Sequence, residues 1–231
     1  MPPRNPVKVA AEVAKLVGVI CTAADLHLAE RLRLKPDLFE LRLDCLFGCR
    51  TLKRQMAKLK RPLIITARHS AEGGDNNLPG PIRCDLLLTY LRAARYVDIE
   101  LRSAAACRPV MDRARELGVG TIISFHDFGS TPSLGSLRAK ATRAGALGAA
   151  VFKVATRTDT AAQLARLLRF VADAPIGLPI SAMGIGKLGT ISRPLLAQCG
   201  SVLAYCSLGR SRVEGQLSVD QFRRAIGQIK P

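Results

Sequence analysis

Eight short apolar runs, each of strand length and separated by longer amphipathic stretches, constrain this chain more than any other feature. The runs are Val17 to Cys21, Phe39 to Leu43, Leu63 to Ala67, Val97 to Leu101, Thr121 to Phe125, Val151 to Ala155, Leu178 to Ala182 and Val202 to Tyr205. Between them, stretches such as Leu86 to Arg95, Met111 to Leu117 and Ala161 to Val171 carry helical spacing. Strict alternation of strand and helix implies a parallel sheet, and eight units suit a closed (β/α)8 barrel, the TIM barrel; a doubly wound open sheet is the alternative. With 231 residues, 48% of them hydrophobic, the chain can bury one large core but not two ordinary ones, so a single domain over 1–231 is expected. Residues 1–16 are too short for a further unit and are expected to form an N-terminal extension across the barrel's N-terminal end. The last amphipathic stretch, Val219 to Ile229, leaves no room for a second catalytic domain.

Charge and cysteine content narrow the function classes. The formal net charge is +17, but the basic residues are scattered, aromatics make up only 4% and Trp is absent, so the stacking platforms of a single-strand binder are missing. No specific nucleic-acid partner is expected, although weak binding at low salt is. The seven cysteines lack CxxC and zinc-ligand spacing, which argues for reduced thiols in a cytoplasmic protein and against a metal site. Glu12 and Lys15 break the first apolar stretch, so neither a signal peptide nor a membrane span is expected there.

Chemistry concentrates at strand ends. Lys153 stands inside the apolar run Val151-Phe152-Lys153-Val154-Ala155, where burial would strip its hydration, lower its pKa and leave a fraction as the free amine that attacks carbonyls. A lysine that snorkels its charge to water is the bland alternative. In the second strand Glu40, Arg42 and Asp44 alternate with Leu41 and Leu43, so the charges face the barrel interior, either as a salt-bridge layer or as a polar pocket at its mouth. Arg68 ends the third strand, with Glu72-Gly73-Gly74 following. His126 directly follows the fifth apolar run, the position where barrel enzymes keep groups for proton transfer. The glycine-rich stretch Met183 to Gly189 after strand seven lacks the order of a nucleotide-binding loop, and Arg193 behind it suits a planar carboxylate. Residues 208–216, a polar loop with Gly209 and Gly215, have the composition of an active-site lid.

Taken together, Glu40-Leu-Arg-Leu-Asp44, Thr66-Ala-Arg-His-Ser-Ala-Glu-Gly-Gly74, Ser124-Phe-His-Asp-Phe128 with Thr131-Pro132, Phe152-Lys-Val-Ala155, Met183-Gly184, Ser192-Arg193 and Gly215-Gln216 resemble type I 3-dehydroquinate dehydratase along nearly the whole chain. The resemblance implies a cofactor-free, metal-free lyase, a homodimer, that acts on 3-dehydroquinate. It implies Lys153 as the Schiff-base lysine, His126 as general base and acid, and Glu72 as the residue holding His126. It further implies Arg193 as the carboxylate clamp, Glu40, Arg42 and Arg68 on the ring, Met183 at the site and Gln216 in the lid. The family's usual Ser-Ala-Pro-Gly-Gln reads Arg212-Val213-Glu214-Gly215-Gln216 here, and Glu214 is expected to pair with Arg210 or Arg212, turning Arg212 outward or onto the substrate carboxylate. Competing readings are another Schiff-base lyase of the class I aldolase or transaldolase type, a non-catalytic basic binding protein on the same fold, and an impaired relative with a remodelled lid.

Overall fold

The structure, a computed structural model, describes residues 14–173 and 177–229. Eight strands, β1 (Lys15–Ile20), β2 (Leu38–Arg42), β3 (Leu63–Thr66), β4 (Tyr96–Glu100), β5 (Gly120–Asp127), β6 (Val151–Arg157), β7 (Ile180–Ile185) and β8 (Leu203–Ser207), run parallel in chain order, and β8 returns to pair with β1. The β7–β8 seam is thinner: the Val202 amide donates to the Ile180 carbonyl at 2.8 Å and the Ser181 hydroxyl to the Leu203 carbonyl at 3.0 Å. The result is a nearly closed (β/α)8 barrel, and the β1–β8 pairing excludes the open sheet.

Helices α1 (Ala23–Arg31), α2 (Leu52–Met56), α3 (Gly80–Tyr90), α4 (Arg108–Glu116), α5 (Leu134–Ala146), α6 (Ala161–Ala172), α7 (Gly189–Gln198) and α8 (Val219–Gln228) follow their strands around the outside. Thr22 with Asp25, Thr160 with Gln163, and Ser218 with Gln221 form capping boxes that start α1, α6 and α8 just after the strand ends. Side chains alternating along the strands build two apolar zones. Leu41, Ile65, Ile99, Ile123, Phe152 and Ala182 face the helices, whereas Val17, Leu38, Ile64, Ile122, Val151 and Leu203 fill the barrel interior. This inner plug closes the N-terminal half of the barrel and leaves polar inward positions only toward the C-terminal mouth.

Several strand bounds differ from those the apolar runs suggest. Lys15 donates its amide to Val202, so residues 15 and 16 open β1 rather than ending an extension; residues 1–13 lie outside the described residues. β5 continues through His126 and Asp127, β6 through Arg157 and β7 through Ile185. Met183 and Gly184 are thus strand residues, not part of the loop after β7. The cause is that parallel ladders are made by backbone groups, so a strand continues past its apolar run wherever its neighbour does.

Candidate active site

Lys153 sits mid-way along β6 and is 3% exposed. Its neighbours in space are unlike its apolar neighbours in sequence: Nζ donates to Asp98 Oδ2 at 2.9 Å and Glu40 Oε1 at 3.3 Å, and lies 3.9 Å from the centre of the Tyr205 ring. The ammonium is therefore held by two carboxylates and an aromatic face. Glu40 also accepts from the Thr66 hydroxyl at 2.8 Å. Burial pushes the Asp98 carboxyl up, but the Arg68 guanidinium and the Lys153 ammonium outweigh it and hold Asp98 well below the usual carboxylate range.

Arg68 anchors the inner charges. Its Nη1 reaches Asp98 at 3.0 Å, Glu100 at 3.3 Å and the Ser124 hydroxyl at 2.7 Å, while Nη2 reaches Asp98 at 3.1 Å. With these donors committed to protein acceptors, Arg68 lines the cavity but is built into its wall. Arg42, at the end of β2, is gripped by both Asp44 oxygens and by the Gly73 carbonyl, which fixes it beside the loop after β3. The expected inward face of β2 is present, and its two readings merge, since Glu40 belongs at once to an ion-pair layer and to the pocket.

His126 and Glu72 meet directly. Glu72 Oε2 accepts from the His126 amide at 3.0 Å and lies 2.9 Å from Nδ1. Burial, with the Arg68 and Lys153 charges, pushes the imidazole well below its usual value, so it is neutral at physiological pH. With Nδ1–H given to Glu72, the Nε2 lone pair is left as a base. Burial and the nearby Glu100 charge push the Glu72 carboxyl up to about 7.

Arg193, on α7, is 5% exposed and donates Nη1 to the Tyr205 carbonyl at 2.9 Å, while its Nε has no partner among the described residues. No carboxylate pairs with it there, and burial lowers its pKa to about 10. A buried guanidinium without a counter-ion at a cavity wall is an electrostatic invitation to an anion. Met183 is buried in the same wall, and Gln216 and Arg212 border it from the loop after β8. The cavity at the barrel mouth, about 100 Å³, thus brings together all ten side chains singled out in the sequence: Glu40, Arg42, Arg68, Glu72, His126, Lys153, Met183, Arg193, Arg212 and Gln216.

The loop after β8 departs from expectation in its pairing. Glu214 does not meet Arg210 or Arg212; its Oε2 pairs with Arg157 Nη1 at 3.0 Å, and Arg157 also holds Asp159. Arg212 instead reaches across the mouth to Asp75 in the loop after β3, at 2.6 Å, and to Cys45 Sγ at 3.3 Å. The backbone is pinned too. Glu214's carbonyl accepts from the Gly186 amide at 3.1 Å, and Gly215, at φ +80°, lies so close to Gly189 that neither position has room for a Cβ.

Four contributors were missed. Asp98 and Glu100 alternate in β4 with the period that flagged Glu40 and Arg42, so a signal existed. Tyr205 reads as one more apolar position of β8, and Arg83 on α3, whose Nη1 donates to Glu100 at 2.9 Å, as an ordinary helix arginine; nothing local distinguishes either.

Comparison with known proteins adds an independent line. The family model described as type I 3-dehydroquinase matches residues 14–230. A 3-dehydroquinate dehydratase of Methanothermobacter thermautotrophicus is 32% identical over 84% of this chain and 86% of its own length. One of Thermococcus gammatolerans is 34% identical over 82% of this chain and 86% of its own. The crystal structure of 3-dehydroquinate dehydratase from Geobacillus kaustophilus superposes with a TM-score of 0.85 at 25% identity, covering 94% of this chain and 91% of that one.

Proposed function

The chain belongs to the type I 3-dehydroquinase family and is a hydro-lyase of the shikimate pathway that dehydrates 3-dehydroquinate to 3-dehydroshikimate, and on that premise we propose that it does so through a Schiff base on Lys153. The observation that carries this reading is one cavity holding a buried primary amine, a neutral histidine with Nε2 free among the described residues, and a buried guanidinium without a counter-ion among them. Arg193 clamps the substrate carboxylate, which supplies the missing charge. Lys153 Nζ, as the free amine, adds to the C3 ketone, and loss of water leaves an iminium that draws electrons from C2. His126 Nε2 removes the C2 proton to give an enamine. The enamine expels the C1 hydroxyl, which takes the proton held by His126 and leaves as water. Hydrolysis of the imine then frees the product and restores Lys153. The water formed at C3 is consumed there again, so the net loss is one water.

Glu72 keeps the His126 ring in the tautomer and orientation this needs. Asp98 and Glu40 hold Nζ at one place and remain counter-ions to the iminium, which carries the same charge as the ammonium. Arg42, Glu40 and Gln216 orient the ring hydroxyls, Met183 packs against the ring, and 208–216 cover it as a lid. The whole chain acts as one barrel domain, and the family resemblance supports a cytoplasmic homodimer; among the described residues no helix is long and apolar enough to cross a membrane.

Borohydride reduction in the presence of 3-dehydroquinate tests the mechanism. A single ligand adduct on the peptide holding Lys153, absent in K153A, is the expected mass change; an unmodified lysine in active enzyme would sink it.

A further inference from the structure

Six buried side chains form a continuous row of alternating charge that runs from the helical layer to the reacting lysine. Arg83, on α3, donates Nη1 to Glu100 Oε2 at 2.9 Å. Glu100 Oε1 accepts from Arg68 Nη1 at 3.3 Å, Arg68 binds Asp98, and Asp98 binds Lys153, whose other carboxylate is Glu40. Every member is at most 4% exposed. Three carboxylates and three cations cancel, the condition under which buried charge is tolerated. Five of the six belong to β2, β3, β4 or β6 or to the residues directly after them. The sixth comes from outside the barrel, and no other cation contacts Glu100 Oε2 among the described residues.

Resting on the Schiff-base reading of the site, we propose that Arg83 is a positioning residue for the dehydration, which balances the row's charge from α3 and fixes the strand ends from which the row projects. Besides Glu100, its Nη1 holds the Ala67 carbonyl at 3.0 Å and its Nη2 the Ser103 hydroxyl at 3.0 Å, so one guanidinium ties the end of β3 to the turn after β4. Glu100 in turn receives the His69 amide at 2.9 Å, at the start of the loop that carries Glu72.

The charge count follows the reaction. With Lys153 as ammonium or as iminium the row sums to zero, and in the stages where its nitrogen is neutral, the free amine and the enamine, it carries one net negative charge. Without Arg83 those values become −1 and −2, so the free amine forms against a more negative surround and the adduct accumulates more slowly. The same uncompensated Glu100 charge reaches Glu72, whose other neighbours are the neutral His126 and the charged Arg68 and Arg102. Glu72 already sits near 7 because of burial and Glu100. Activity that needs its carboxylate form rises with pH through about 7 in the wild type, and more negative charge moves that limb to higher pH.

The test compares wild type, R83K, R83M, E100Q and R83M/E100Q by pH–rate profile, melting and borohydride trapping on Lys153. R83M is expected to lower kcat on the order of tenfold or more with little change in KM, to slow trapping in proportion and to move the acid limb upward, while R83K recovers much of the rate and restores the limb. A folded R83M with wild-type kcat and limb overturns the proposal, as does R83K behaving like R83M. Should R83M not fold, E100Q and the double variant decide, because with Glu100 neutral Arg83 has nothing to balance. The double's acid limb is then expected at or below the wild type's, since no uncompensated Glu100 charge remains to raise Glu72, and a limb above the wild type's overturns the proposal. Absence of any Lys153 adduct in the wild type marks failure of the Schiff-base reading instead.

Discussion

On the proposed reading, Arg193 is a single residue held ready for substrate at a cost to the empty enzyme. Its guanidinium is buried, has one carbonyl partner and no counter-ion among the described residues, an arrangement that natural cores avoid unless something else supplies the charge. On the proposed reading a substrate carboxylate does so with two parallel hydrogen bonds. R193M is therefore expected to raise KM roughly 10- to 100-fold with a smaller change in kcat, since a charge-assisted contact present in both ground and transition states is lost. Because the methionine removes an uncompensated buried charge, the apoprotein's melting temperature should not fall. Steady-state kinetics and a melting curve check both halves, and an unchanged KM would move the carboxylate elsewhere. At this scale the sequence was legible where a charge interrupts an apolar run, as at Lys153 and Glu40. The same signal stood at Asp98 and Glu100 and was passed over. Arg83 was illegible, because an arginine on a helix is ordinarily solvated and only the packing of α3 against the strand ends buries it.

Among the elements, the loop after β8, the proposed lid, is fastened on two sides by charge. Arg212 reaches Asp75 in the loop after β3, and Glu214 reaches Arg157 at the end of β6, so the two charged residues among the departures from the family's pattern each meet an opposite charge on a different element. That matching was beyond sequence reasoning, because the partners lie 137 and 57 residues away and the nearer arginines, 210 and 212, looked sufficient. Strand order and number were legible throughout, since hydrophobic period needs no partner. Strand ends were less so, because His126, Asp127, Thr156 and Arg157 are polar and yet remain in the ladder. Both lid pairs are largely exposed, and exposed pairs contribute little individually. R212S is accordingly expected to change kcat/KM by less than about fivefold and to leave the melting temperature nearly unchanged. A hundredfold rise in KM would instead place Arg212 on the substrate carboxylate.

For the molecule as a whole, the charge is divided between a neutral buried row and a strongly basic remainder. The buried row contributes −3 from Glu40, Asp98 and Glu100 and +3 from Arg68, Arg83 and Lys153, so the formal +17 of the same 231 residues lies entirely outside it. Around the barrel mouth, Arg210 and Arg212 border the cavity from the loop after β8. The substrate is an anion, so this field draws it inward and raises the encounter rate without altering the bound chemistry. Screening shortens the reach of such a field from about 30 Å at 0.01 M salt to about 8 Å at 0.15 M. The interior row is screened far less, because salt does not enter the barrel core. Raising ionic strength over that range is therefore expected to lower kcat/KM severalfold while kcat at saturating substrate stays constant. Stopped-flow or initial-rate measurements in sodium chloride check it, with a non-ionic osmolyte as control. A kcat that falls in parallel would show that the salt reaches the reacting lysine and its counter-ions. A kcat/KM indifferent to salt would show that Arg193, buried and locally paired by the substrate, draws the anion without help from the basic surface.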